Sequence, residues 1–273
     1  MVTRIDYPKN MVEAARSVMV ELTHLLGEYR EHIVVVGGWV PELLFPRDDD
    51  PHVGSIDVDL AIDHKNLSEE HYRTIERLLL DRGYQPGRLP FQFVRTVTIG
   101  DREVRIEVDF LAGEYEGTGK RHRHQRIKGI KARKARGCDL AFHKPVEITV
   151  EGRLPDGGLD EVNIRVASVV PFLAMKGFAL EGRMKSKDAY DIYYCVRNYL
   201  GGVDALVEAV RSYLGHSLVR EGLESISRQF ASEEHWGPRA VADFEDAVGE
   251  SREMIQRDAF ERVNYLLSSL GEI

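Results

Sequence analysis

Apolar residues recur at helical spacing at Met11, Ala15, Val18, Leu22 and Leu25, which predicts an amphipathic helix over residues 11–29. A short apolar run at 32–36 then ends at Gly37 and Gly38, as a buried strand would. A helix over 40–44 is expected to start at once, with Pro41 suited to its first turn. Residues 47–54 are polar, carry Pro51 and read as a loop, whereas residues 55–62 alternate and read as a strand. The pattern over 67–82 is helical, with Ser68 as N-cap and Gly83 at the C-terminal position that favours glycine. Residues 91–99 and 103–111 alternate as two strands around a tight turn at Gly100 and Asp101. Short strands are expected at 138–142, 146–150 and 162–166, with turn residues Pro155 to Gly158 before the last.

From Ser168 the periodicity is helical almost to the end, with helices expected at 168–180, 187–199, 203–214, 218–231, 239–248 and 252–270. This change places a domain boundary near residue 166. Residues 1–166 are expected to form an α/β (α+β) domain with a mixed β-sheet and flanking helices. Residues 167–273 are expected to form a helical domain.

Composition refines this picture. The chain has 273 residues, of which 43% are hydrophobic, enough for a sizeable core in each domain. No apolar run approaches membrane-spanning length, and the N-terminus carries no apolar signal core. The two cysteines, Cys138 and Cys195, stand in unlike contexts and suggest neither a disulfide framework nor a zinc site, so a reducing cytoplasm is expected. The net charge is −8, which argues against a general nucleic-acid coat protein. Yet residues 120–136 (KRHRHQRIKGIKARKAR), from Lys120 to Arg136, hold nine Lys/Arg and no acid. Such an island is either a solvated loop or a contact for phosphates.

The chemistry centres on GSIDVDL, residues 54–60. On a strand, Asp57 and Asp59 project to one face, and Ile56, Val58 and Leu60 to the other. Two aspartates on one face repel each other unless water or a cation lies between them. A solvated edge strand and a divalent-metal site are both open on this pattern alone. VRIEVDFL, residues 104–111, repeats the alternation with Arg105, Glu107 and Asp109 on one face. If the two strands are neighbours, Asp109 joins Asp57 and Asp59, and three carboxylates can hold two Mg2+ ions about 3.5–4 Å apart. Upstream, Gly37 and Gly38 between a strand and a helix start would let backbone amides approach a phosphate. Downstream, Lys176 falls on the apolar stripe of Val169, Phe172, Leu173 and Leu180, so it must snorkel out or reach an anion.

Taken together, GGWVPELL, SIDVDLAID and VRIEVDFL resemble the glycine-pair, D-x-D and third-carboxylate motifs of the DNA polymerase β-like nucleotidyltransferase superfamily. Within it, the chain resembles the AbiEii/AbiGii toxin-type nucleotidyltransferases. PFLAMKGFALEGRMKSKDAYDIYYCV, residues 171–196, is similar to that family's lysine-containing helix and K-x-K-D-x-x-D-I segment. The resemblance implies a nucleotidyltransferase fold. It implies Asp57, Asp59 and Asp109 as metal ligands, with Lys176 and Asp188 in the active site, Asp191 adjacent in the motif, and Gly37, Gly38, Ser55, Lys176, Lys185 and Lys187 toward the nucleotide. It also implies transfer of a nucleoside monophosphate from an NTP to an acceptor hydroxyl, with Mg2+ and release of pyrophosphate. The expected partners are an RNA or tRNA acceptor through the basic island and a cognate antitoxin. Two alternatives remain open: a small-molecule nucleotidyltransferase of the antibiotic-modifying kind, and a non-catalytic nucleotide- or RNA-binding module.

Overall fold

The computed structural model describes residues 2–113, 124–127 and 130–271, with residues 124–127 and 130–131 described by backbone alone. The chain forms two compact units. One comprises Pro8–Leu43 and Gly54–Ser168; the other comprises Met1–Tyr7, Leu44–Val53 and Val169–Ile273.

The first unit is a mixed sheet with helices. Its strands are β1 (Ile33–Val36), β2 (Asp57–Ile62), β3 (Gln85–Pro86), β4 (Gln92–Ile99), β5 (Arg102–Ala112), β6 (His124–Ile127), β7 (Ile130–Lys134), β8 (Val146–Arg153) and β9 (Leu159–Val166). Its helices are α1 (Lys9–Leu25), α2 (Val40–Leu44), whose last residue belongs to the other unit, and α3 (Glu69–Asp81). The strand order is β3-β4-β5-β2-β1-β9-β8. β2 and β5 run parallel, as do β1 and β9, while β4–β5, β1–β2 and β8–β9 are antiparallel. β5 exchanges partners along one edge. It pairs with β4 from Arg102 to Asp109, then with β7 at Leu111 and Ala112, while β2 holds its opposite edge.

Alternation decides which sheet face is buried. Val58, Leu60 and Ile62 of β2 and Ile106, Val108 and Phe110 of β5 are buried on one face. α1 packs against this sheet through Ala14, Ala15, Val18, Met19 and Leu22, all buried. Glu21 of α1 is buried too, which would be costly alone. It accepts hydrogen bonds from Arg82 (2.7 Å), Arg95 (2.9 Å) and Tyr84 (2.8 Å). Against the burial that opposes ionisation, these donors hold the Glu21 carboxyl below its ordinary range.

The second unit is helical: α4 (Val169–Arg183), α5 (Ser186–Asn198), α6 (Gly202–Arg211), α7 (Ser217–Gln229), α8 (Trp236–Phe244) and α9 (Gly249–Ser268). α4 and α7 cross where two glycines meet. A Cβ on Gly222 would lie 2.6 Å from the backbone of Ala174, and one on Gly177 would strike the Gly222 carbonyl.

Residues 138–142, expected as a strand, form a 3-10 turn instead. Gly137 has φ 78, a left-handed conformation that turns the chain before Cys138. Cys138, Leu140 and Ala141 are buried, so the run is apolar because it packs inward rather than because it is pleated. Cys138 and Cys195 are free and buried, and burial pushes both thiols up. Among the described residues, no helix is long and apolar enough to cross a membrane.

Candidate active site

The parallel pairing of β2 with β5 aligns two acidic strands residue for residue. Asp57 stands beside Glu107, and Asp59 beside Asp109. Side chains at paired positions share a face, and neighbouring strands lie about 4.8 Å apart. The sheet therefore carries four carboxylates on the face opposite Val58, Ile106 and Val108.

The glycine pair borders this face. β1 pairs with β2 so that Val36 lies beside Asp59, and Gly37 follows directly. Gly37 has φ 70, and a Cβ there would collide with the Asp59 carboxylate. Glycine is required here for backbone conformation and for space alike. Residues Gly37–Trp39 form a 3-10 turn leading into α2. The Trp39 indole N–H donates to the Asp57 carbonyl at 2.7 Å, fixing the turn to the start of β2. Ser55, buried, donates its hydroxyl to Asp57 Oδ1 at 2.5 Å.

Asp109 is half-buried, and burial raises its carboxyl pKa. A hydrogen bond from Gln92 at 3.1 Å opposes that shift, and the neighbouring Asp57 adds to it. Arg133, exposed on β7, also opposes it. β7 pairs in register with β5 so that Arg133 lies beside Leu111 and Lys134 beside Ala112, just beyond Asp109. The rest of the basic stretch is described only in part. Residues 120–123, 128 and 129 lie outside the described residues, and β6 pairs antiparallel with β7.

All-oxygen donors on one face suit a hard divalent cation, and Gly37 leaves room for the Asp59 carboxylate. The donor set thus fits Mg2+ in chemistry and in facing. Among the described residues no three such groups are drawn together as a ready metal cluster. Asp57 instead takes the Ser55 hydroxyl and Asp109 the Gln92 amide.

The helical unit holds the other residues singled out in the sequence. Lys176 of α4 is buried and paired with Asp188 at 2.6 Å and Asp191 at 2.7 Å. The anion that satisfies this inward lysine is thus supplied by α5. Against the burial that would lower it, Asp188 and Asp191 hold the Lys176 ammonium above its ordinary pKa. Lys187 is also buried, pairs with Asp191 at 2.9 Å and lies over the Tyr7 ring. Against its own burial, Asp191 is held far below the usual carboxylate range by Lys176 and Lys187. Asp188 accepts from Arg183 as well, at 2.7 Å. Lys185 is exposed at the N-cap of α5.

His52 was missed in the sequence. It is buried, and its Nε2 lies 2.9 Å from Asp191 Oδ1. Burial and the nearby Lys187 lower its pKa to about 4, so the neutral ring donates from Nε2. The rings of Tyr190 and Tyr194 pack against it. Gln92 was missed too; only its place at the start of an alternating strand hinted at it.

A family model described as "Nucleotidyl transferase AbiEii toxin, Type IV TA system" matches residues 22–263. No curated protein matches the chain.

Proposed function

Given that the chain belongs to the AbiEii family of nucleotidyltransferase toxins of type IV toxin–antitoxin systems, we propose that it transfers a nucleoside monophosphate from an NTP to an acceptor hydroxyl, releasing pyrophosphate. The observation that carries this reading is the register of β2 and β5, which sets Asp59 beside Asp109 with Gly37 against the Asp59 carboxylate.

In this reading Asp57, Asp59 and Asp109 hold Mg2+. Bound Mg2+ supplies neutralising charge for the triphosphate and lowers the pKa of an attacking hydroxyl. The amides at Gly37 and Gly38 face the phosphates, and Ser55 steadies Asp57. Asp109 completes the metal site and helps deprotonate the acceptor hydroxyl. Lys176, Lys185, Lys187 and Asp188 enter through the family motif. Lys176, Lys187 and Asp188 are engaged in the buried ion-pair cluster they share with Asp191, and Lys185 is the exposed member.

An RNA acceptor such as tRNA is favoured over a cationic small molecule because β7, basic in sequence, continues the sheet beside β5 just past Asp109. A cognate antitoxin and a cytoplasmic setting complete the reading, in keeping with the family and with two free cysteines. The test is incubation with each labelled NTP, Mg2+ and total tRNA, comparing wild type with the Asp57→Ala/Asp59→Ala variant. Label is expected on tRNA with the wild type only. Absence of transfer, or transfer that survives the double substitution, overturns the reading.

A further inference from the structure

Gln92 stands directly opposite Asp109 in the β4–β5 ladder, and Val94 stands opposite Glu107. The Gln92 side chain is buried at 7% exposure, although it faces two carboxylates, those of Glu107 and Asp109. Its Nε2 donates to Glu107 Oε2 at 3.0 Å and to Asp109 Oδ1 at 3.1 Å. A carboxamide nitrogen has two hydrogens, so each carboxylate receives one. The oxygen of the same group accepts from the Arg88 backbone N–H at 3.2 Å. That contact decides which way the amide faces, because a flipped group would set its oxygen against two carboxylates and its nitrogen against an N–H.

The loop before β4 is shaped to hold this side chain. The Gly87 N–H donates to the Gln92 carbonyl at 2.7 Å, and the Gln92 N–H to the Leu89 carbonyl at 3.0 Å. A Cβ on Gly87 would lie 2.6 Å from Gln92 Cγ, so Gly87 leaves the space the carboxamide stem fills. A neutral double donor is the group this position requires. Glutamate would add a third negative charge beside Glu107 and Asp109, and an apolar residue would let both carboxylates rotate.

We propose that Gln92 is a positioning residue of the active site. It restrains the rotamer of Asp109 by holding Oδ1, which leaves Oδ2 for metal binding, and it ties Glu107 to the same amide nitrogen. The inference rests on the reading of Asp109 as a metal ligand.

The test is titration of the full-length protein with Mn2+, followed by calorimetry and by the electron paramagnetic resonance of the bound ion. Gln92→Met keeps the volume and removes both donors. Gln92→Asn keeps the carboxamide but is one methylene too short to reach both carboxylates. Both variants are expected to bind Mn2+ about 10–100-fold more weakly than wild type, with an altered resonance spectrum, while circular dichroism and a cooperative unfolding transition show that each remains folded. In the tRNA-labelling assay kcat is expected to fall while KM for the NTP stays near its wild-type value. Wild-type Mn2+ affinity in a folded Gln92 variant, alongside weakened binding in Asp109→Asn, overturns the role of Gln92 alone. Wild-type affinity in Asp109→Asn overturns the metal reading and this inference with it.

Discussion

His52 shows how one side chain can tie distant stretches of sequence together. It lies 139 residues before Asp191 yet donates to it from a fully buried ring. Its pKa is lowered from 6.5 to about 4, so the unfolded chain takes up a proton at a pH where the folded chain does not. Its stabilising contribution is therefore complete above pH 6.5 and is lost as pH falls toward 4. The loss is on the order of 3 kcal/mol across that window. Urea unfolding of wild type and His52→Gln at pH 7 and pH 4.5 is expected to show a steeper decline for the wild type; parallel declines would remove the effect. At this scale the sequence disclosed what alternation discloses. Asp57 and Asp59 were visible because period two puts them on one face of their strand, and Asp109 because the same alternation recurs in the later strand. His52 and Gln92 were not, because their significance lies in partners that only the fold brings near. Lys176 was visible as an inward charge, but its anions Asp188 and Asp191, on the next helix, became evident only when α4 and α5 were seen to pack.

At the scale of elements, the decisive fact is that β2 and β5 are parallel neighbours in the register that pairs aspartate with aspartate. Each strand was readable from its own pattern, but their adjacency was a condition that local periodicity could not settle. The same limit explains residues 138–142, where a short apolar run cannot by itself distinguish a strand from a buried turn. Helix packing adds a requirement that no periodicity reveals. α4 and α7 approach closely at Gly177 and Gly222, both of which lie mid-helix, where glycine is otherwise disfavoured. Gly222→Ala would gain helix propensity but drive a methyl into the backbone of Ala174. Overpacking is expected to win, destabilising the protein by about 1–3 kcal/mol. A denaturation midpoint equal to or above that of wild type would show that the helices can separate without cost.

At the scale of the whole molecule, the helical unit is assembled from three segments of chain. Residues from 169 onward supply the helices, and the two earlier segments supply partners for their charges and rings. Arg4 pairs with Glu245 at 2.6 Å, Arg197 with Asp50 at 3.0 Å, and Tyr7 meets Phe244 edge to face. Tyr194 donates to the carbonyls of Phe45 and Asp50. A fragment of residues 169–273 is therefore expected to keep much of its helical circular dichroism but to melt broadly and well below the intact protein. A sharp transition at the intact protein's temperature would show that residues 1–7 and 44–53 are dispensable.

This arrangement also sets an order of events during synthesis. Tyr7, Asp50 and His52 leave the ribosome long before Lys187, Asp191 and Phe244 exist. At about 5–20 residues per second, residues 169–273 need roughly 5–20 s to be made. Residues 44–53 gain their partners Asp191, Tyr194 and Arg197 as α5 is made, whereas Arg4 and Tyr7 wait for Glu245 and Phe244. The lysine–aspartate cluster can close only once Asp191 has been made, so His52 waits for α5 before its buried partner exists.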